Sequence, residues 1–364
     1  MWVSPPRTGQ QPGLRTANEE RFLDTRLELL RHWLTNDLRF NAERIAPASV
    51  DASFRRYFRV WRDHETYIVM DAPPEKEDTG PYRRVAHMLA DVGVHVPRIL
   101  EADTERGLLL LTDLGTRLYL DDLAALANSA GDVDRLYEDA TRALCVIQAR
   151  GLGHAHQLPP YDRAALTREM DLLPEWFCGR HLKLDLGEAA REMIASTFDA
   201  LCRSALEQPQ VFVHRDYHSR NLMVCNGANP GILDFQDAVR GAITYDLVSL
   251  FKDCYIRWAP GRVRDWVVAY RAQAAAAGVE VGSTDEQFVR WFDLMGAQRH
   301  IKVLGIFARL FHRDGKPRYL HDLPLTLDYV REICPRYPEL HPFGAFLEAR
   351  VVPILGARTA EALG

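Results

Sequence analysis

The chain has 364 residues, room for two folding units or one large bilobal one. Its 45 basic against 50 acidic residues leave a net charge of −5, which excludes a nucleic-acid binder that works through bulk positive charge. Hydrophobic residues at 47% and charged residues at 26% are ordinary for a globular protein, and no run of about 18 apolar residues exists to cross a membrane. Residues 1–18, rich in Pro, Gly and Gln and lacking an apolar stretch, read as a flexible tail and not as a secretory signal. Phe22, Leu23, Leu27, Leu30 and Leu34 recur at helical spacing and predict a helix over 19–34. Residues 54–61 and 67–70, aromatic and β-branched, flank Asp63-His64-Glu65 and predict a hairpin. A helix over 81–92 is ended by Gly93, and 98–102 and 108–112 predict two further strands about a turn at 103–107.

Beyond Gly115 helical patterns dominate, over 132–150, 162–177, 188–207, 242–258, 262–277, 284–312 and 343–352. A short β insertion at 211–214, 222–225 and 231–234, with Asn226-Gly227 as a turn, interrupts them. The fold class is therefore α+β, with a small β-rich N-lobe over 19–112 and a large, mainly helical C-lobe over 113–364. Cys145, Cys178, Cys202, Cys225, Cys254 and Cys334 contain no C-x-x-C pair, so neither a zinc site nor a disulfide framework is supported. Reduced thiols in the cytoplasm fit best.

The chemistry concentrates at His214-Arg215-Asp216, four further residues and Asn221, between two short apolar strands. Asp234-Phe235-Gln236 follows at the end of the next apolar segment. Phosphoryl transfer asks little covalent help from a protein: a carboxylate to take the hydroxyl proton and a metal bridging the nucleotide phosphates. Asp216 suits the first task. One amide oxygen and one carboxylate oxygen, from Asn221 and Asp234, suit a hard cation such as Mg²⁺ that keeps several waters. His214 and Arg215 read as braces of the loop, and Asp246, at the start of a helix, as a cap or a further brace. His214-x-Asp216-x-His218 also fits a hydrolase metal cluster, but that reading leaves Asn221 and Asp234 without a role. Arg299, His300 and Lys302 fall on a helix whose Leu294, Ile301, Leu304, Ile306 and Phe307 are core, and they read as a solvated or inter-segment face.

These residues resemble the protein-kinase-like aminoglycoside phosphotransferase superfamily of small-molecule kinases. Within it the chain resembles the cell-wall-recycling sugar kinases of the AmgK type. The phrases that carry the closer likeness are Asp51-Ala-Ser-Phe-Arg-Arg-Tyr-Phe-Arg59, the stretch from Tyr67 to Asp78, His214 to Met223, Asp234-Phe-Gln-Asp-Ala238 and Gln298 to Phe307. The resemblance implies a protein-kinase-like bilobal fold and ATP-dependent phosphorylation of N-acetylmuramate or N-acetylglucosamine at the anomeric hydroxyl, as a step of peptidoglycan recycling. It implies Asp216 as catalytic base, Asn221 and Asp234 as Mg²⁺ ligands, and adenine beside 111–114. The expected partners are an amino sugar and ATP, with no nucleic acid or membrane, and the expected state is a monomer.

The chain departs from the wider pattern at the phosphates. Ser53 to Tyr57 contains no glycine, and Met70 stands where a strand lysine is expected. Lys76 is the only lysine before residue 183 and is the candidate substitute, and Arg55 and Arg56 offer guanidinium forks that suit phosphate oxygens. The expected nucleotide contacts are thus Ser53, Arg55, Arg56, Met70, Lys76, Leu111 and Asp113. Glu169, Glu175, Trp176 and His218 form the expected acceptor set, an aromatic–acidic mixture able to stack on and hydrogen-bond a sugar. Two rivals share these residues. One is a kinase of the same superfamily acting on an aminoglycoside, a choline-like amine or another alcohol. The other is a non-catalytic nucleotide-binding module, and the missing lysine keeps a non-catalytic reading open.

Overall fold

The computed structural model describes residues 17–50, 54–127 and 129–363. The expected tail therefore lies outside the described residues up to position 16, and Ala17 already opens a helix. By internal contacts the chain forms two compact units, residues 1–122 with 220–237, and residues 123–219 with 238–364. The sequence reading draws its boundary after residue 112, whereas this division groups the segment 220–237 with the first unit.

The first unit is built on an antiparallel sheet of five strands in the order β1-β2-β3-β5-β4. These are β1 (Arg44–Val50), β2 (Arg56–Arg62), β3 (Glu65–Asp71), β4 (Ile99–Asp103) and β5 (Leu108–Thr112). Alternation along the strands sends successive side chains to opposite faces. Phe58, Val60, Val69, Leu108 and Leu110 pack with Leu30, Trp33, Leu34 and Phe40, which follow from helix α1 (Ala17–His32) and the π-helical turn after it. Tyr57, Ile68 and Leu111 belong to the opposite set and line a slot. Strand β1 is absent from the sequence reading because Pro47 breaks its pattern. It sits at the sheet edge, with its register shifted between Pro47 and Ser49, where a residue without an N–H is tolerated. Helix α2 (Gly80–Val92) ends as expected at Gly93, whose φ of 90° is the left-handed conformation that glycine adopts most readily. Its N–H bonds to the Ala90 carbonyl at 3.0 Å.

A buried ion cluster ties β2 and β3 to α1. Asp71, with no exposed surface, receives the Nε of Arg26 on one oxygen and that of Arg56 on the other, both at 3.0 Å. Removing the carboxylate would leave two largely covered guanidinium groups uncompensated, a loss on the order of 3–5 kcal/mol. A short hairpin, β7 (Leu222–Met223) with β8 (Gly231–Ile232), completes this unit, its Ile232 N–H bonded to the His95 carbonyl at 2.8 Å. Helix α3 (Tyr119–Ala125) follows β5.

The second unit is mainly helical, with α4 (Ala130–Arg150), α5 (Leu152–Ala155), α6 (Arg163–Met170) and α7 (Glu188–Leu206) before the catalytic window. After it come α8 (Tyr245–Phe251), α9 (Pro260–Ala276), α10 (Asp285–His312), α11 (Leu323–Ile333), α12 (His341–Phe346) and α13 (Val352–Leu363). Helix α10 is the axis of this unit, buried at almost every position from Trp291 to Gly305. Its N-cap Thr284 accepts the Gln287 N–H at 3.1 Å, which starts the helix where the sequence places it. A Cβ on Gly305 would stand 2.4 Å from the Leu172 backbone, so glycine allows the helix to touch the segment after α6.

The expected β insertion is rearranged. Strand β6 (Gln210–Val213) pairs antiparallel with β9 (Val239–Ala242), a strand that the sequence reading does not name and whose last residue, Ala242, it places at the start of a helix. The helix expected over 242–258 is only α8, because Lys252 leaves helical geometry and Asp253 turns to accept the Ser219 N–H of the loop after β6. The helix expected over 162–177 is likewise split, into α6 and a π-helical stretch, Leu173–His181, with Pro174 in its first turn. Helices α11 and α13 lie where the sequence reading names none.

Candidate active site

Strand β6, whose Val211, Phe212 and Val213 are buried, delivers His214, Arg215 and Asp216 at its end. Arg215 adopts φ of 82°, a left-handed conformation that a non-glycine residue keeps only when its surroundings enforce it. The enforcement comes from Asp246. Its two carboxylate oxygens accept the His214 N–H at 2.6 Å and the Arg215 N–H at 2.8 Å, in a fully buried position. Asp246 thus braces the loop and does not cap its helix. Burial pushes its carboxyl up from 3.8 to about 7, against the two backbone donors, which favour the anion. The far end of the loop is held the same way. Asp253 accepts the Ser219 N–H at 3.0 Å and the Ser219 hydroxyl, and its other oxygen accepts the Tyr255 N–H at 3.1 Å. Tyr217 donates its hydroxyl to the Ala140 carbonyl at 2.8 Å. Asp253 is a positioning residue that sequence reasoning missed. The signal available was its spacing, seven residues after Asp246, which bracketed α8 with a carboxylate at each end.

Beside the loop, Arg215 forms an ion pair with Glu169, which also accepts the Tyr161 hydroxyl and lies 2.9 Å from Lys302 Nζ. Burial would raise the Glu169 carboxyl, but Lys302, Arg215 and Tyr161 outweigh it and hold it at about 2. Lys302 also donates to the Tyr245 hydroxyl at 3.0 Å. Arg299, His300 and Lys302 are all buried, so the solvated alternative for this face is set aside: they are inter-segment contacts. His300 stacks on Tyr329 at 4.7 Å and burial drops it to about 3, so it is neutral there.

Of the expected acceptor residues, Glu169 and His218 lie at the catalytic loop, His218 buried and edge-on to Tyr255 at 5.7 Å. Glu175 and Trp176 lie on the π-helical stretch and share Arg180, which is 3.7 Å from the Glu175 carboxylate and 4.2 Å from the Trp176 ring centroid. Among the described residues no three His, Cys, Asp or Glu side chains gather as a metal cluster.

Asn221 and Asp234 belong to the first unit, on either strand end of the β7–β8 hairpin. The Asn221 amide nitrogen is 3.4 Å from one Asp234 oxygen, and Gln236 donates to the other at 2.8 Å. Asp234 adopts φ of 62°, a second constrained backbone at a candidate ligand. Its carboxyl is on the wall of a narrow slot lined also by residues that include Tyr57, Ile68, Pro97, Leu111, Leu114 and Met223.

The expected nucleotide contacts separate. Leu111 lines the slot, and Arg55 reaches Asp234, with 3.7 Å between guanidinium and carboxylate. Met70 is fully buried in the sheet opposite Tyr57. Arg56 is committed to Asp71, and Asp113 to Arg59 at 3.0 Å and the Gly115 N–H at 2.9 Å. Lys76 is exposed, its ammonium 4.5 Å from the Phe54 ring centroid. Ser53 lies outside the described residues. Pro97 and Met223, which sequence reasoning did not name, reach the slot only through tertiary packing.

A phosphotransferase is the class that this α+β fold and motif define, and a model of the phosphotransferase enzyme family matches residues 44–292. The chain belongs to that family. It is 47% identical to the N-acetylmuramate/N-acetylglucosamine kinase of Pseudomonas aeruginosa over 89% of this chain and 96% of that one. The protein of the same name from Neisseria meningitidis serogroup B is 42% identical over 87% of this chain and 94% of its own. Among solved structures, an ADP-bound aminoglycoside phosphotransferase superposes with a TM-score of 0.56 at 14% identity, over 84% of this chain and 98% of that one. An ethanolamine kinase of Plasmodium vivax gives 0.60 at 12% identity, over 88% and 96%. The protein-kinase-like fold implied by the sequence is the fold of these structures.

Proposed function

We propose that this protein is an ATP- and Mg²⁺-dependent sugar kinase that phosphorylates the anomeric hydroxyl of N-acetylmuramate and N-acetylglucosamine, in the cytoplasm and as a monomer. The observation that carries the reading is the agreement of relatives 42–48% identical over 94–96% of their own length, each bearing that kinase name. The fixed geometry of the catalytic loop supports it. Asp216 orients the acceptor hydroxyl and takes its proton as the oxygen attacks the γ-phosphoryl. His214, Arg215, Asp246 and Asp253 hold that carboxylate in place. Adenine occupies the slot beside Leu111 and Leu114, and the polyphosphate runs toward Asp234.

The donor set at Asn221 and Asp234 fits Mg²⁺: hard oxygens only, few in number, leaving room for water and phosphate. Bound there, the ion supplies charge neutralisation on the phosphate oxygens. His218, Glu169, Glu175 and Trp176 remain the proposed acceptor contacts, with Glu169 acting through Arg215. Six free cysteines, five of them buried, agree with a reducing compartment. Among the described residues no helix is long and apolar enough to cross a membrane. The sugar 1-phosphate is the substrate class that a nucleotidyltransferase converts to a nucleotide sugar for peptidoglycan.

The test is ADP release with Mg-ATP and a panel of N-acetylmuramate, N-acetylglucosamine, glucose, an aminoglycoside and choline, followed by ³¹P NMR. Turnover with either amino sugar and a product phosphorus coupled to H1 is the expected result. Turnover on the amine acceptors alone, or nucleotide binding with no turnover on any, would overturn it.

A further inference from the structure

The second unit holds a recess of about 470 Å³ between α9, α10 and α11, and none of its lining residues belongs to the loop of residues 214–221. A volume of that order suits a small organic molecule. Its apolar wall includes Val263 and Val267 of α9, Phe292 of α10 and Ile333 of α11. Trp258 and Tyr329 add aromatic rings whose polar ends are already engaged. The indole N–H donates to the Tyr137 hydroxyl at 2.6 Å, and the Tyr329 hydroxyl donates to the Ile256 carbonyl at 3.1 Å. A buried ion pair stands on the same wall. Lys252 and Asp293 have only 7% and 2% of their surface exposed, and the ammonium donates to one carboxylate oxygen at 3.1 Å. The other oxygen accepts the Tyr337 hydroxyl at 2.8 Å and pairs with Arg336 at 2.7 Å. Glu332, the second acidic residue of the lining, is paired with Arg257.

The carboxylates of the recess are therefore taken, whereas its donors are not. An ammonium carries three N–H groups, and Lys252 has one hydrogen-bond acceptor among the described residues. Arg336, with five donors, makes one ion pair among the described residues, and Arg264, exposed, makes none. Burial lowers the Lys252 ammonium from its ordinary value even with Asp293 beside it, so one carboxylate does not balance the loss of water. A cationic ligand would find no acceptor on these side chains; an anion would find three donors of its opposite charge. We propose that this recess is a binding site for a compact organic anion, with a flat apolar body against Val263, Val267, Phe292 and Ile333. Its carboxylate, sulfonate or phosphate headgroup sits on Lys252, Arg264 and Arg336 and supplies the acceptors that the wall lacks. The site goes beyond the kinase reading and does not rest on it.

The test titrates the full chain with two fluorescent probes of one shape: anilinonaphthalene sulfonate, which carries the anion, and phenylnaphthylamine, which lacks it. A non-hydrolysable Mg–ATP analogue and N-acetylglucosamine are present throughout at saturation, to keep both probes out of the proposed kinase site. Wild type is expected to bind the sulfonate one to one and the uncharged probe about tenfold more weakly. Arg336→Gln is expected to weaken the sulfonate about tenfold, the loss of one charge-assisted contact, and Arg264→Glu several-fold. Neither substitution is expected to move the affinity of the uncharged probe. No binding of the sulfonate, equal affinity for the two probes, or sulfonate affinity unchanged in both variants overturns the proposal. Melting temperatures show whether the variants are folded, and should Arg336→Gln fail, Arg264→Glu, at an exposed position, decides the outcome alone.

Discussion

The catalytic loop in the second unit and the candidate metal ligands in the first are both built around carboxylates, but their partners differ in kind. Asp246 and Asp253 accept backbone N–H groups of residues 214, 215, 219 and 255, none of which can be exchanged without unmaking the loop. Among the described contacts, Asp234 is met by side chains: the amides of Gln236 and Asn221 and, at 3.7 Å, the Arg55 guanidinium. Side-chain partners rotate away, whereas backbone partners do not. The difference teaches how a phosphotransferase divides its tasks. The base must be placed before substrate arrives, since preorganisation is what its geometry contributes. Under the proposed function the metal ligand meets its cation only with the nucleotide, and its side-chain partners can give way to it.

The strongest test of this division is Asp216→Ala. Loss of a positioned general base is expected to reduce turnover by about 10²–10⁴-fold while Mg–nucleotide affinity stays nearly unchanged. A parallel loss of nucleotide binding, read by calorimetry, would show that the loop and the nucleotide side are one device and would remove the distinction. Asp246→Asn sharpens it. The amide keeps the volume but presents an NH₂ to one of two backbone donors, so Asp216 is displaced without losing its chemistry. A misplacement on the order of 1 Å is expected to cost about 10²-fold in kcat with little change in the KM for ATP. An equal rise in KM would argue against a purely positioning role.

The pH dependence reads the same contacts with two opposite signs. The Asp246 carboxyl is raised by burial from 3.8 to about 7, so the folded protein holds that proton more tightly than the unfolded chain. Its contribution to stability is thus full below about 4 and is lost as pH rises through about 7. Only the anion accepts both N–H groups, so kcat is expected to rise over the range in which that stability is lost. Glu169 behaves conversely. Held at about 2 by Lys302 and Arg215, it contributes stability above its ordinary 4.5 that is lost only as pH falls through about 2. Melting temperature and kcat followed from pH 5 to 8 in wild type and Asp246→Asn check the first pair of signs. Identical slopes in both proteins would rule out Asp246 as the titrating group.

What the sequence shows of this molecule follows the reach of its physical signals. The motif that proposes Asp216, Asn221 and Asp234 can be read because its residues are close in the chain, and α2 with its Gly93 stop or α10 with its Thr284 start are legible because periodicity and capping are local. Strand β1 is not, since Pro47 masks the alternation that the edge of a sheet tolerates. Nor are Pro97 and Met223, which reach the slot from segments far apart in sequence. The several roles open to Arg55, Arg56 and Lys76 could not be separated without the structure. Basic residues look alike in sequence until Asp71, Phe54 and Asp234 are seen to take one each.

The acceptor side carries the smallest expected effect. Trp176 offers a half-buried ring with Arg180 against it at 4.2 Å, and Glu175 lies 3.7 Å from the same guanidinium. An aromatic face with a polar edge is suited to stack on a sugar ring, and such a contact acts on ground-state binding more than on the reacting oxygen. Trp176→Ala is therefore expected to raise the acceptor KM several-fold, at a cost of about 1 kcal/mol, with kcat and the KM for ATP unchanged. Arg180→Ala, which leaves the ring but removes its cover, separates stacking from charge: a fall in acceptor KM would mean that the guanidinium blocks the face. A rise equal to that of Trp176→Ala would instead assign the contact to the cation. No change in either variant would take the π-helical stretch out of the acceptor site and leave the loop itself, with His218, as the surface that meets the sugar.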